Sequence, residues 1–275
     1  MTEIKTSLKS VLKRLRLSGV LGTLPDRVAY ARKTTLAELD FLELVLQDEI
    51  DRREHKNLEL RLARAGFEEE QTFESFDWNL PVSFDRQRVK DLIGLGFVER
   101  REDVLLLGPV GVGKTFLASA LGHGACRAGY DVLFLRADPM LRQIHQARAD
   151  HSNERFLRRL LSPDLLIIDD FGLRRLDSQQ SSDFYDVVIE RHRRASTIVS
   201  SNRSLEEWVS LFDDPILAQS ALDRLAHNAH QIVIEGDSCR SQKRPGTVAE
   251  NTAARTRPKS RRLESRRHRV VVRSR

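Results

Sequence analysis

"VLLLGPVGVGKT", residues Val104–Thr115, decides the fold. Four apolar residues, Val104 to Leu107, lead directly into the glycine-rich loop Gly108-Pro109-Val110-Gly111-Val112-Gly113, then Lys114, Thr115 and Phe116. A short, unbroken apolar run predicts a strand buried on both faces. The loop fits the pattern G-x-x-x-x-G-K-[ST], in which glycines let backbone N–H groups converge on a phosphate. Lys114 supplies a mobile charge for the β- and γ-phosphates. Thr115 offers a hydroxyl to Mg²⁺ at the start of the next helix, whose dipole also favours an anion. Residues Gly108 through Phe116 are therefore the expected contacts of ATP, with Thr115 one of the expected Mg²⁺ ligands.

Downstream, "LLIIDDFG", Leu165 to Gly172, is a second apolar run that ends in two carboxylates. Asp169 at the strand tip is placed to hold Mg²⁺, the Walker B role. Asp170 occupies the place of a water-polarising acid, where Glu is usual. A third run, Thr197–Ser200, leads to Asn202, a neutral side chain able to hydrogen-bond a γ-phosphate or the attacking water. Two more runs, Val132–Leu135 and Gln231–Ile234, alternate with helical stretches. One of these is Lys114–Ala128, and two others start at Asp138-Pro139 and Asp214-Pro215, each read as an N-cap followed by proline at the first helical position. Apolar strands alternating with helices predict a parallel sheet covered on both faces.

The first 75 residues read differently. Ile4, Leu8, Val11, Leu12 and Leu15 share one helical face that stops near Gly19. A second helix is expected from Thr35, with Glu38 at the capping-box spacing and an apolar face of Leu39, Leu42, Leu46 and Ile50. Its charged stretch, Asp48 to Arg64, reads as a solvated surface or a docking face for a partner or DNA, and ends at Gly66. The net charge of +6 is uneven: Arg240 to Arg275 hold 13 Lys/Arg against 2 Glu, so the preceding 239 residues carry a balance of −5. That final segment, 241–275, lacks apolar periodicity and is expected to be disordered. It reads as a DNA-binding arm, an incidental extension or the product of a shifted frame. No apolar run is long enough to cross a membrane. The two cysteines, Cys126 and Cys239, lack metal-ligand spacing, and a cytoplasmic protein with reduced thiols is expected.

Taken together, GPVGVGKT, LLIIDDFG, RRASTIVSSNRSLEEW, DDPILAQSALDRL and GDSCR resemble the IstB family, the ATP-binding helpers of insertion sequences related to DnaC and DnaA. The resemblance covers roughly Leu8 to Arg240. It implies an α/β fold of the AAA+ P-loop class, with five parallel strands in the order 5-1-4-3-2 over 76–240, behind a helical N-terminal domain of 1–75. It further implies ATP-dependent oligomers on double-stranded DNA, slow ATP hydrolysis and a partner transposase. Arg224 in "ALDRL" matches the arginine presented to a neighbouring subunit's nucleotide, and Arg240 in "GDSCR" matches an arginine reaching the nucleotide of its own subunit. Cys239 stands where the family pattern usually has Tyr, a departure that bears on Arg240.

A DnaC-like helicase loader would share this chemistry and differ in its partner. A small-molecule phosphotransferase would need an acceptor pocket and lid in place of "ALDRL". The basic segment Arg142 to Arg159, with Arg148, Arg155 and Arg158, is a candidate for phosphate contacts to DNA, equally readable as a solvated helix face. Nothing in it is suited to reading bases, so sequence-independent binding is expected.

Overall fold

All five apolar runs form one parallel sheet: β1 (Asp103–Leu107), β2 (Val132–Arg136), β3 (Leu165–Phe171), β4 (Ser196–Ser201) and β5 (Ala229–Val233). In space they lie in the order β2-β3-β4-β1-β5, the 5-1-4-3-2 order expected. This computed structural model describes residues 4–238. Strand side chains alternate between two apolar layers, as a period of two requires. Leu105, Leu107, Leu166, Ile168 and Val199 join one layer. Val104, Leu106, Leu165, Ile167 and Ile198 join the other. Burial on both faces explains why the runs Val104–Leu107, Val132–Leu135 and Leu165–Ile168 are apolar at every position and not at alternate ones. Val82–Ser83 and Glu235–Gly236 add a separate antiparallel pair.

The N-terminal segment corrects the sequence reading in three places. It holds three helices, α1 (Thr6–Arg14), α2 (Val20–Thr34) and α3 (Glu38–Ala65). Helix α2 escaped notice because Gly22 and Pro25 interrupt its pattern and only Val20 and Leu24 are buried along it. Thr35 does not cap α3: it takes a left-handed conformation that ends α2, and α3 starts after Ala37 without a side-chain cap. The face Leu39, Leu42, Leu46 and Ile50 is also exposed, as are Leu8 and Val11 on α1 and Leu15 just after it. Helix α3 instead turns Val45 and Glu49 inward. Arg27 of α2 pairs with Asp48 at 2.7 Å, and buried Glu49 accepts from Arg52 and Arg53. Those two guanidinium groups hold the Glu49 carboxyl down to about 2, against the opposing pull of burial. The C-terminal half of α3 reaches the sheet, where Ala65 is buried in the same apolar layer as Phe134 of β2, and Gly66 ends the helix at φ +79°.

The remaining helices are α4 (Arg86–Ile93), α5 (Gly96–Glu99), α6 (Lys114–Arg127), α7 (Ala137–Ala149), α8 (Asn153–Leu161), α9 (Ser178–Arg191), α10 (Leu205–Trp208) and α11 (Pro215–His227). Asp214 caps α11 by accepting the Ile216 N–H at 2.8 Å, with Pro215 at the first turn as expected. Asp138 does not cap α7. The helix begins one residue earlier, at Ala137, and the Asp138 carboxylate pairs with Arg174 instead. No helix among the described residues is long and apolar enough to cross a membrane.

Candidate nucleotide site

The phosphate loop leaves the C-terminal end of β1 and enters α6, so the first N–H groups of α6 open toward the loop. Gly108, Gly111 and Gly113 take φ of +148°, +86° and +99°. At Gly108 a Cβ would lie 2.1 Å from the carbonyl oxygen of Ile234, the residue just after β5, so only glycine allows this approach. Lys114 is buried, and its Nζ donates to the carbonyls of Gly108 at 2.8 Å and Pro109 at 2.7 Å. The ammonium is thus held over the mouth of its own loop, where a γ-phosphate would compete for it. Phe116 packs half-buried against Phe76, their ring centroids 5.3 Å apart.

Asp169 lies on β3, fully buried. Thr115 Oγ1 approaches its two carboxylate oxygens at 3.0 and 3.2 Å, although 54 residues separate them in sequence. Burial pushes the Asp169 carboxyl above the ordinary range, and neighbouring Asp170 adds to that, while hydrogen bonds from Ser200 and Thr115 work against it. A hydroxyl and a carboxylate side by side at a phosphate loop are the hard oxygen donors that Mg²⁺ accepts, the rest of its shell coming from phosphates and water. The residues fit MgATP. The described residues hold no cluster of three or more His, Cys, Asp or Glu able to bind a metal without such a ligand.

Asp170, half-buried, adopts φ +56°. Asn202 follows the end of β4 and is exposed at the rim of the sheet. Arg224 stands apart from all of these. It lies in the last turn of α11, half-buried, donating to the Ser220 carbonyl at 2.9 Å and to the Ser220 hydroxyl. The residues just after it lead into β5, whose first residue pairs with Asp103 at the start of β1. Arg224 is therefore near the edge of the sheet opposite its own phosphate loop, a strand length or about 15 Å away. His192 is beside it, and burial lowers the His192 pKa, helped by the positive charges of Arg193, Arg224 and His227.

The candidate DNA segment divides. Arg148 forms an ion pair with the buried carboxylate of Asp183, and Arg158 pairs with Glu154 on its own helix. Arg155 is exposed on α8. Arg240 and the 241–275 tail lie outside the described residues. Two residues passed over in the sequence contribute to the site. Ser200 donates to Asp169, and Ser201 donates to the Phe171 carbonyl at 2.8 Å while accepting from Trp208. Serines at a strand end carry no signal by themselves. Only the pairing of β3 with β4 brings Ser200 to the Asp169 carboxylate and Ser201 to the Phe171 carbonyl.

The family model for IstB-like ATP binding protein matches residues 10–246. An ATP-binding protein in an insertion sequence of Mycobacterium tuberculosis is 40% identical over 241 residues, covering 87% of this chain and 96% of that protein. The IS21 ATP-binding protein of Pseudomonas aeruginosa is 36% identical over 247 residues, covering 89% and 93%. Among solved structures, the DnaC helicase loader aligns with a TM-score of 0.50 at 20% identity, over 60% of this chain and 96% of that one. DnaI aligns at 0.52 and 19%, over 60% and 91%. At these identities the two structures support the fold.

Proposed function

This chain belongs to the IstB-like ATP-binding proteins, and we propose that it is an ATPase that assembles on double-stranded DNA and directs a partner transposase to it. The observation that carries the reading is the pairing of Thr115 with Asp169 behind a phosphate loop that holds buried Lys114. MgATP, when bound, would supply the phosphoryl group and a metal charge that offsets the phosphates. Lys114 exchanges the Gly108 and Pro109 carbonyls for phosphate oxygens. Thr115 and Asp169 would hold the metal, Asp170 would polarise the attacking water, and Asn202 would orient it.

Arg224 has a different task. It is too distant from its own loop to serve it, which supports a role in a neighbouring subunit's site. A guanidinium delivered across a subunit boundary makes hydrolysis depend on assembly, because it stabilises charge on the transferring phosphoryl. Arg240 is assigned to the nucleotide of its own subunit on the motif alone. Residues 1–75 serve as the partner-docking part, a role supported by the exposed leucines of α1 and α3.

The test is phosphate release and gel-shift binding on duplexes of unrelated sequence, with and without ATP, followed by affinity capture against a purified transposase of the same class of insertion sequence and against a replicative helicase. ATP-dependent, sequence-indifferent binding and capture of the transposase are expected. Capture of a replicative helicase instead would establish the loader reading. Turnover that needs a small-molecule acceptor would sink both.

A further inference from the structure

Strands β3 and β4 pair in register from Leu165↔Ser196 to Ile168↔Val199 and again at Phe171↔Ser201. Two residues of β3, Asp169 and Asp170, therefore stand opposite the single residue Ser200. A two-against-one step is a β-bulge, and it disrupts the hydrogen-bond ladder at that point. At this bulge Asp170 takes its left-handed conformation, which a non-glycine residue keeps only when its surroundings hold it there.

Ser200 is what holds it. The side chain is fully buried, its Oγ accepts the Asp170 N–H at 3.0 Å, and its own proton goes to Asp169 Oδ1. One hydroxyl thus uses its donor on one member of the acidic pair and an acceptor lone pair on the other. Thr115 also reaches Asp169, but its hydroxyl is assigned to the metal. Ser200 lies within the strand at the Asp169 carboxylate, and Asn202, beyond the strand end, is exposed at the rim.

We propose that Ser200 is a positioning residue, locking the metal-holding carboxylate of Asp169 to the bulge that presents Asp170. The proposal rests on the roles given above to those two carboxylates. Removing the hydroxyl leaves a buried amide unpaired at Asp170 and frees Asp169 to turn from the metal position. The effect falls on metal use and on turnover, and spares the metal-free contacts of the phosphate loop.

Ser200→Ala, Ser200→Thr and Ser200→Cys test this in the full chain. Binding of a fluorescent ATP analogue is titrated with and without Mg²⁺, and turnover is measured alongside. In Ser200→Ala, affinity without Mg²⁺ should match wild type. The Mg²⁺ concentration for half-maximal binding should rise about tenfold or more, and kcat should fall on the order of ten- to a hundredfold, the range for removal of a hydrogen bond to a charged group. KM should move little by comparison. Ser200→Thr keeps the hydroxyl and should recover to within a few-fold. Ser200→Cys, similar in size but a weak donor, should resemble Ala, so Thr against Cys decides the matter should Ala fail to fold. A wild-type Mg²⁺ requirement in Ser200→Ala overturns the proposal, as does a Thr variant as impaired as Ala beside a healthy Cys variant. Lys114→Ala, run in parallel, separates the two levels. If it loses nucleotide while Ser200→Ala behaves as wild type, only the role of Ser200 fails. If it still binds nucleotide, the site reading beneath it fails.

Discussion

Replacing Asp103 with asparagine should change how stability depends on pH, by an amount that its surroundings set. Asp103 opens β1 at 5% exposure and accepts the Thr197 N–H of β4 at 2.7 Å. Burial pushes its carboxyl up to about 7, and the Thr197 amide and the charge of Arg191 only partly offset this. The Arg191 guanidinium is itself buried and is lowered to about 10, so it stays charged near neutrality. A folded pKa above the unfolded value means that the folded chain binds more protons between roughly pH 4 and 7, so stability falls as pH rises through that window. A rise of about 3 units at ~1.4 kcal/mol each sets an order-of-magnitude ceiling of ~4 kcal/mol on the loss. Asn keeps an oxygen acceptor for Thr197 and cannot ionise. Urea unfolding of wild type and Asp103→Asn at half-unit steps from pH 4.5 to 8 isolates this group, because other buried carboxyls such as Asp169 and Asp183 titrate in both proteins. The two should be similar at the acid end, with the variant ahead by up to a few kcal/mol at pH 8. A difference that stays flat, or in which wild type gains with pH, would mean that Asp103 is already ionised and stabilised by Arg191, and the reasoning would be refuted.

Three further outcomes are expected. Lys114→Ala should abolish productive triphosphate binding, because no other phosphate-loop side chain is placed to neutralise the β- and γ-phosphates; calorimetric titration with ATP and Mg²⁺ showing wild-type affinity would contradict this. Arg224→Ala should leave the monomer's nucleotide affinity nearly intact while lowering hydrolysis in the DNA-bound assembly, by less than the ~10³-fold or more typical of transition-state arginines if Asp170 in place of Glu already slows the enzyme; equal turnover on saturating DNA would exclude an intersubunit role. Truncation after Arg240 removes 12 basic residues and should keep ATP-dependent DNA binding; in salt-series gel shifts the log–log slope falls by about 0.9 for each phosphate the protein no longer neutralises, so a change of several units would assign DNA binding to the tail.

What could be read from the sequence, and what could not, divides along a physical line. The phosphate loop, the Asp214-Pro215 cap and the glycine stop at Gly66 are local devices whose residue types and spacing carry their geometry. The strand order followed from resemblance, and the unbroken apolar runs of β1, β2 and β3 from burial on both faces. The failures are all matters of context. Leu39, Leu42, Leu46 and Ile50 have the spacing of a buried stripe, yet α3 turns Val45 and Glu49 inward instead. Periodicity says that an apolar face exists, and only packing says whether this chain covers it. Arg191 sits in the charged run "ERHRRAS", where a solvated side chain is the ordinary expectation. It is buried, and donates to the carbonyls of Leu160, Pro163 and Ser196 and to the Thr197 hydroxyl, closing the open end of the loop between α8 and β3. Ser200 follows the same rule at the site itself. In "TIVSSN" the eye goes to Asn202, whose amide is the more versatile polar group. The bulge at Asp169-Asp170 shifts the register by one residue and sets the plain serine against the Asp169 carboxylate and the Asp170 amide, leaving the asparagine at the rim. A register shift is a property of two strands together, so neither strand's residues announce it. A residue that acts through such a shift becomes visible only once the strands are paired.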